Sequence, residues 1–93
     1  MILARVAGRV VTGVRSDGME DSRYLLVKQC APDGTGESGG IVALDIIGAA
    51  DGEMVLVSEG SSTRQTEITD GKPVDALVIG IVDMVEENSR VVY

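Results

Sequence analysis

Asp75-Ala76-Leu77-Val78-Ile79-Gly80-Ile81-Val82-Asp83-Met84-Val85 is apolar at nearly every position. Strand alternation divides it into two faces, Ala76, Val78, Val82 and Met84 on one and Leu77, Ile79, Ile81 and Val85 on the other. Its β-branched content marks it as a strand, and a strand of a small antiparallel protein normally buries one face and wets the other. One small barrel has room for only one of these faces, so the second is expected to be covered by another subunit. Gly80, inside the strand, predicts a close approach by another backbone or side chain.

Upstream, Asp70-Gly71-Lys72-Pro73 is a break, and before it Ser62 and Gln65 stand at capping-box spacing, which predicts a short helix within residues 60–66. Four more strands are predicted over 53–58, 41–47, 24–29 and 2–15. In the first, Ile2, Ala4, Val6, Val10 and Val14 share one face, with Arg5, Arg9 and Arg15 on the other. Residues 16–22 read as a loop joining an antiparallel hairpin, and 32–40, with Gly34, Gly36, Gly39 and Gly40, as an exposed, flexible loop. Downstream, Glu86-Glu87-Asn88-Ser89 precedes Arg90-Val91-Val92-Tyr93, which is expected to pair with an edge, dock on a neighbour or fray. Five strands with one short helix before the last fit an all-β, five-stranded OB-like Greek-key barrel, one domain over 1–86 with a tail over 87–93.

Composition narrows the function. Among 93 residues, eight basic side chains face fifteen acidic ones for a net charge of −7, with no histidine and two aromatic residues, Tyr24 and Tyr93. Nucleic-acid barrels hold phosphate by positive charge and bases by aromatic stacking, so nucleic acid is not an expected partner. Arg5 interrupts the first apolar run, and no stretch reaches the roughly 18 apolar residues of a spanning helix, so a cytoplasmic protein with no membrane partner is expected. Fourteen valines and seven isoleucines leave β-branched side chains to fill the core.

The reactive residues suggest structure rather than catalysis. Cys30 is alone, so it has no intramolecular disulfide partner, and without histidine the usual soft-metal sites are missing. Neither a metal nor a cofactor is expected, and with no histidine to serve a serine there is no expected enzyme activity. Asp45, Asp75 and Asp83 sit in or beside apolar strands, and each is read as capping a turn or pairing with an arginine at a subunit contact rather than as acid/base machinery. Gly60-Ser61-Ser62-Thr63-Arg64 places hydroxyls and a cation where a helix would start, suited to capping or to a small anion, but without P-loop spacing. Lys72 on its turn is the one feature favouring a lipoyl-like carrier domain; an OB-like oligomeric binding module is the other alternative.

Several segments together resemble one family: Val6-x-Gly8-x-Val10-Val11, Leu25-Leu26-Val27, Ala43-x-Asp45-x-Ile47-Gly48-Ala49-x-x-Gly52, Gly60-Ser61-Ser62-x-Arg64-Gln65 and Lys72-Pro73-Val74-Asp75-Ala76-x-x-x-Gly80-Ile81-Val82-Asp83. They look like the pentameric vertex proteins of bacterial microcompartments, typified by carboxysome and ethanolamine-utilisation shells, from residue 1 to about residue 86. The resemblance implies an OB-like barrel forming homopentamers that close five-fold vertices of a shell in the cytoplasm, beside hexameric or trimeric shell proteins. The resemblance also implies an axial opening at Gly60, Ser61, Ser62 and Thr63; the apolar last strand itself puts the subunit interface at Leu77, Ile79, Gly80 and Ile81 with Asp75 and Asp83, and Arg64 is expected either to pair with one of those carboxylates there or to reinforce the opening. A ring presents two different patches per subunit, in agreement with the doubly apolar last strand.

Overall fold

A computed structural model describes residues 1–13, 23–60 and 75–93. Five strands, β1 (Ile2–Val10), β2 (Arg23–Gln29), β3 (Ser38–Asp45), β4 (Met54–Glu59) and β5 (Ala76–Ile81), form a closed barrel in the order β1-β2-β3-β5-β4. β1 pairs antiparallel with both β2 and β4, whereas β3 and β5 run parallel and meet at only two positions, Leu44 with Leu77 and Asp45 with Val78. This is the OB-like barrel expected from the sequence. The short helix expected over 60–66 falls, but for Gly60, outside the described residues, as do the 16–22 loop and Lys72.

Alternation builds the core. Ala4 and Val6, Leu25 and Val27, Ala43, Val55 and Val57, and Ala76 and Val78 project into the barrel, and Ala49 joins them from the turn after β3. Their small, β-branched side chains suit so narrow an interior. A second cluster lies outside the barrel wall, where Leu44 and Leu77, cross-strand partners in the parallel pair, pack with Tyr24.

Bulges revise the predicted faces. Ala7 is skipped between the pairs Val6–Val27 and Gly8–Leu26, so Val10 pairs with Tyr24 on the outer face instead of following Val6 inward. β1 ends at Val10, and Val11, Thr12 and Gly13, expected to continue it, are not in the strand; the remainder of the expected first strand, 14–15, lies outside the described residues. In β3, Gly39 and Gly40 stand against the single Lys28, and Gly39 takes φ 63°, so residues expected in a loop are a bulged strand start.

The far end of β3 is corrected too: the strand stops at Asp45, and Ile46 and Ile47 belong to an exposed turn. β5 stops at Ile81 rather than Val85, and Ile79 is skipped between the pairs Val57–Val78 and Leu56–Gly80. Ile81 therefore pairs with the core residue Val55, while Leu77 pairs with Ser58, so the predicted single face of Leu77, Ile79 and Ile81 is broken.

Residues 86–93, expected to pair with an edge, dock on a neighbour or fray, form a hairpin of their own, β6 (Glu86–Glu87) against β7 (Arg90–Val91). Asn88 and Ser89 turn it with φ 53° and 63°, the paired positive values of a two-residue hairpin loop. Val92 N–H donates to the Val85 carbonyl at 2.9 Å and extends the pairing beyond the strands.

Candidate subunit interface and axial segment

β5 carries most of the residues expected at the subunit contact. Ala76, Leu77 and Val78 are buried within the chain, Leu77 beneath Tyr24 and Leu44, so the apolar surface left open begins at Ile79. Ile79 and Ile81 are each 38% exposed, large values for isoleucines on a barrel-closing strand. Among the described residues, a Cβ added to Gly80 meets only the Leu56 Cβ at 4.0 Å, so they do not crowd that position. Asp75 and Asp83 flank the strand on the surface.

The expected axial segment starts from a fixed point. Gly60 N–H donates to the Asp75 carbonyl at 2.9 Å, and Gly60 turns the chain out of β4 with φ 79°, a conformation that favours glycine. Position 60 of the proposed opening and position 75 of the proposed interface are thus hydrogen-bonded neighbours. Ser61, Ser62, Thr63 and Arg64 lie outside the described residues.

Asp45 resolves differently from an acid/base group. Its Oδ1 accepts from the N–H groups of Ile47 and Gly48, and its Oδ2 from Ala49, each at 3.1 Å. Arg23, whose role the sequence did not disclose, approaches Oδ2 to 3.6 Å and donates to the Ala49 carbonyl at 2.9 Å. One buried carboxylate thus satisfies a whole turn and presents Ile46 and Ile47, each 41% exposed, on its outside.

A second arginine organises the opposite side. Arg5 donates to the carbonyls of Gly52 at 2.6 Å and Gly34 at 2.9 Å, and its guanidinium carbon lies 5.8 Å from the centre of the Tyr93 ring. Gly34, at φ 84°, leaves no space for a side chain between Arg5 and Tyr93. Its alternating pattern marked Arg5 only as a surface residue; the tie to Tyr93 joins strands too distant in sequence for local pattern to show.

Cys30 is a buried thiol in no disulfide. Burial pushes its pKa above the ordinary thiol range, Glu37 and Asp33 add to the rise, and Arg5 works against it. The exposed Asp33 carboxyl is held below its usual range by the Thr35 hydroxyl at 2.6 Å and the Thr35 N–H at 2.9 Å. Both describe a structured loop rather than a reactive site. At the barrel mouth, Ile2, Val27, Ile41, Gln29, Ser38 and Glu59 line a cavity of about 210 Å³, below the range usual for drug-sized ligands.

Comparison with known proteins gives this geometry a context. Residues 1–83 match the family described as ethanolamine utilisation protein EutN/carboxysome. The bacterial microcompartment shell vertex protein EutN of Escherichia coli K12 is 42% identical over 93 residues, covering 100% of this chain and 98% of that protein. The structure of Gloeobacter violaceus CcmL superposes with a TM-score of 0.93 at 38% identity, covering 100% of this chain and 96% of that one. GrpN, a pentameric microcompartment shell protein from Rhodospirillum rubrum, superposes with a TM-score of 0.83 at 36% identity, over 94% and 99% of the two chains.

Proposed function

This chain belongs to the EutN/carboxysome family of shell vertex proteins, and on that premise we propose that it closes the five-fold corners of a bacterial microcompartment as a homopentamer. Its work is geometric. Flat layers of hexameric or trimeric shell proteins do not close by themselves, and a five-fold unit of matching edge length supplies the missing curvature. The compartment stands in the cytoplasm, and the vertex unit needs neither catalysis nor cofactor for this role.

The observation that carries the reading is the surface of β5, the strand that closes the barrel yet leaves Ile79 and Ile81 open. A cyclic contact buries one patch of each subunit against a different patch of the next. In the proposed seam Ile79, Gly80 and Ile81 supply the apolar centre, Leu77 backs it from within the chain, and Asp75 and Asp83 stand at its rim. Arg64 pairs with one of those two carboxylates across the seam. Gly60, Ser61, Ser62 and Thr63 line the axial opening, which the Gly60–Asp75 hydrogen bond ties to the seam.

Native mass spectrometry tests the ring. The expected species has five times the 9.7 kDa of one chain, and a monomer persisting at micromolar concentration contradicts it. In a shell-forming host, removal of the only vertex protein is expected to give open or elongated compartments; normally closed shells contradict the assignment.

A further inference from the structure

We infer that the C-terminal hairpin, residues 85–93, is an arm that docks on a second copy of this chain, the adjacent subunit of the ring. The inference rests on the ring reading and adds to it a contact outside the β5 seam. A two-stranded sheet is marginal in water without something to pack on. Among the described residues β6 and β7 pair with each other and not with the five-stranded barrel. Yet Val91 within this hairpin and Met84, the residue that leads into it, are large apolar side chains exposed at 64% and 57%. An element that costs order to form and leaves its apolar residues in water has its cover elsewhere.

Two features select a second copy as the occupant. The first is continuity: Val82 is still hydrogen-bonded to the Met54 carbonyl at the end of β5, and the chain passes from there to β6 through Asp83, Met84 and Val85. The arm therefore leaves the barrel at the edge of the proposed seam, where the next subunit stands. The second is its mooring. Tyr93 lies against Gly34 and beneath Arg5, which is itself held by the Gly34 and Gly52 carbonyls, so the far end of the arm is fixed to its own barrel. An arm attached at both ends keeps one orientation and presents Met84 and Val91 without the ordering cost of a free tail.

The test compares the parent with the double variant Met84→Glu/Val91→Glu in a dilution series followed by native mass spectrometry, with the thermal unfolding of each recorded. Both sites are exposed in the single chain, so the barrel is expected to melt as the parent does once dissociated. The expected result is a ring that falls apart at a concentration at least about tenfold higher than the parent. Backbone exchange gives a second reading: the Val85 and Val92 amides are slow in the parental ring and fast in the dissociated variant. A double variant that keeps the parental dissociation midpoint overturns the arm while leaving the ring intact. A parent that is monomeric at every concentration overturns the ring, and the arm with it.

Discussion

Arg23 on β2 stands opposite Asp45 on β3, and its guanidinium reaches both Asp45 Oδ2 at 3.6 Å and the carbonyl of Ala49, the residue whose N–H that same oxygen accepts. The pair is unequal: the Asp45 side chain is fully buried, whereas that of Arg23 is 51% exposed. Removing either partner therefore has different consequences.

Asp45→Ala leaves the N–H groups of Ile47, Gly48 and Ala49 without their acceptor and is expected to cost about 3 kcal/mol or more. Arg23→Ala, which loses a half-solvated contact and one hydrogen bond, costs about 1 kcal/mol. Urea unfolding of the two variants measures the difference. Equal losses would mean that the arginine, rather than the backbone, is the carboxylate's main partner.

Gly34 and Gly36 form a matched pair for the Arg5–Tyr93 contact. Both have positive φ, 84° and 67°, but a Cβ on Gly34 falls 2.5 Å from Arg5 Nη2 and 2.9 Å from a Tyr93 ring carbon, whereas one on Gly36 meets nothing within 4 Å. Gly36→Ala is expected to cost about 1 kcal/mol from backbone strain alone, and Gly34→Ala about 2 kcal/mol or more. Equal costs would show that Tyr93 does not pack there in solution.

Gly80 separates folding from assembly. Its Cβ site is open among the described residues, so Gly80→Ala is expected to fold normally, while Gly80→Leu is expected to keep the barrel and lose the pentamer. Circular dichroism and native mass spectrometry read the two properties separately. A pentameric Gly80→Leu variant would move the seam away from β5.

Arg64→Ala distinguishes two places for that cation. Dissociation into monomers supports its pairing with Asp75 or Asp83 across the seam. A pentamer as heat-stable as the parent would assign Arg64 to the axial opening instead.

The raised pKa of Cys30 gives a pH dependence of definite sign. The folded state holds the thiol proton more tightly than the unfolded state, so this contribution to stability is complete below the unfolded thiol pKa and is lost as pH rises through the higher folded value. Alkylation of the native protein at about pH 8 is expected to be at least about tenfold slower than that of the unfolded chain, and Cys30→Ala should flatten the alkaline fall in stability. Rapid labelling of the native protein would contradict the burial of this thiol.

The five barrel strands were legible because their valines, leucines and alanines keep period two over most of each strand. Their ends were less so. Ile46 and Ile47 continue an apolar run, and the side chain of Asp45, by capturing the amides of Ile47, Gly48 and Ala49, turns the chain away from the sheet. Gly39 and Gly40 look like loop residues, although a bulge gives glycine a place inside β3. On β5 the apolar character was read correctly, but the bulge at Ile79 redistributes its faces and leaves Leu77 covered by its own chain. The hairpin had one local sign, Asn88, a residue that tolerates positive φ; the mooring of Tyr93 by Arg5 had none.

The two-position meeting of β3 and β5 has a consequence for the order of events during folding. β1–β2 and β2–β3 are neighbours along the chain and pair early, whereas the parallel seam needs the entire β4 connection in place before its two pairs form. That short ladder is expected to be the last to zip and the first to open, which backbone hydrogen exchange at Leu77 and Val78 would read. Because β5 supplies both the seam and the exposed isoleucines beside it, a subunit whose barrel has sprung open has no intact surface for its neighbour. In the proposed ring only completed barrels would then join, and joining would hold the shortest ladder of every member shut.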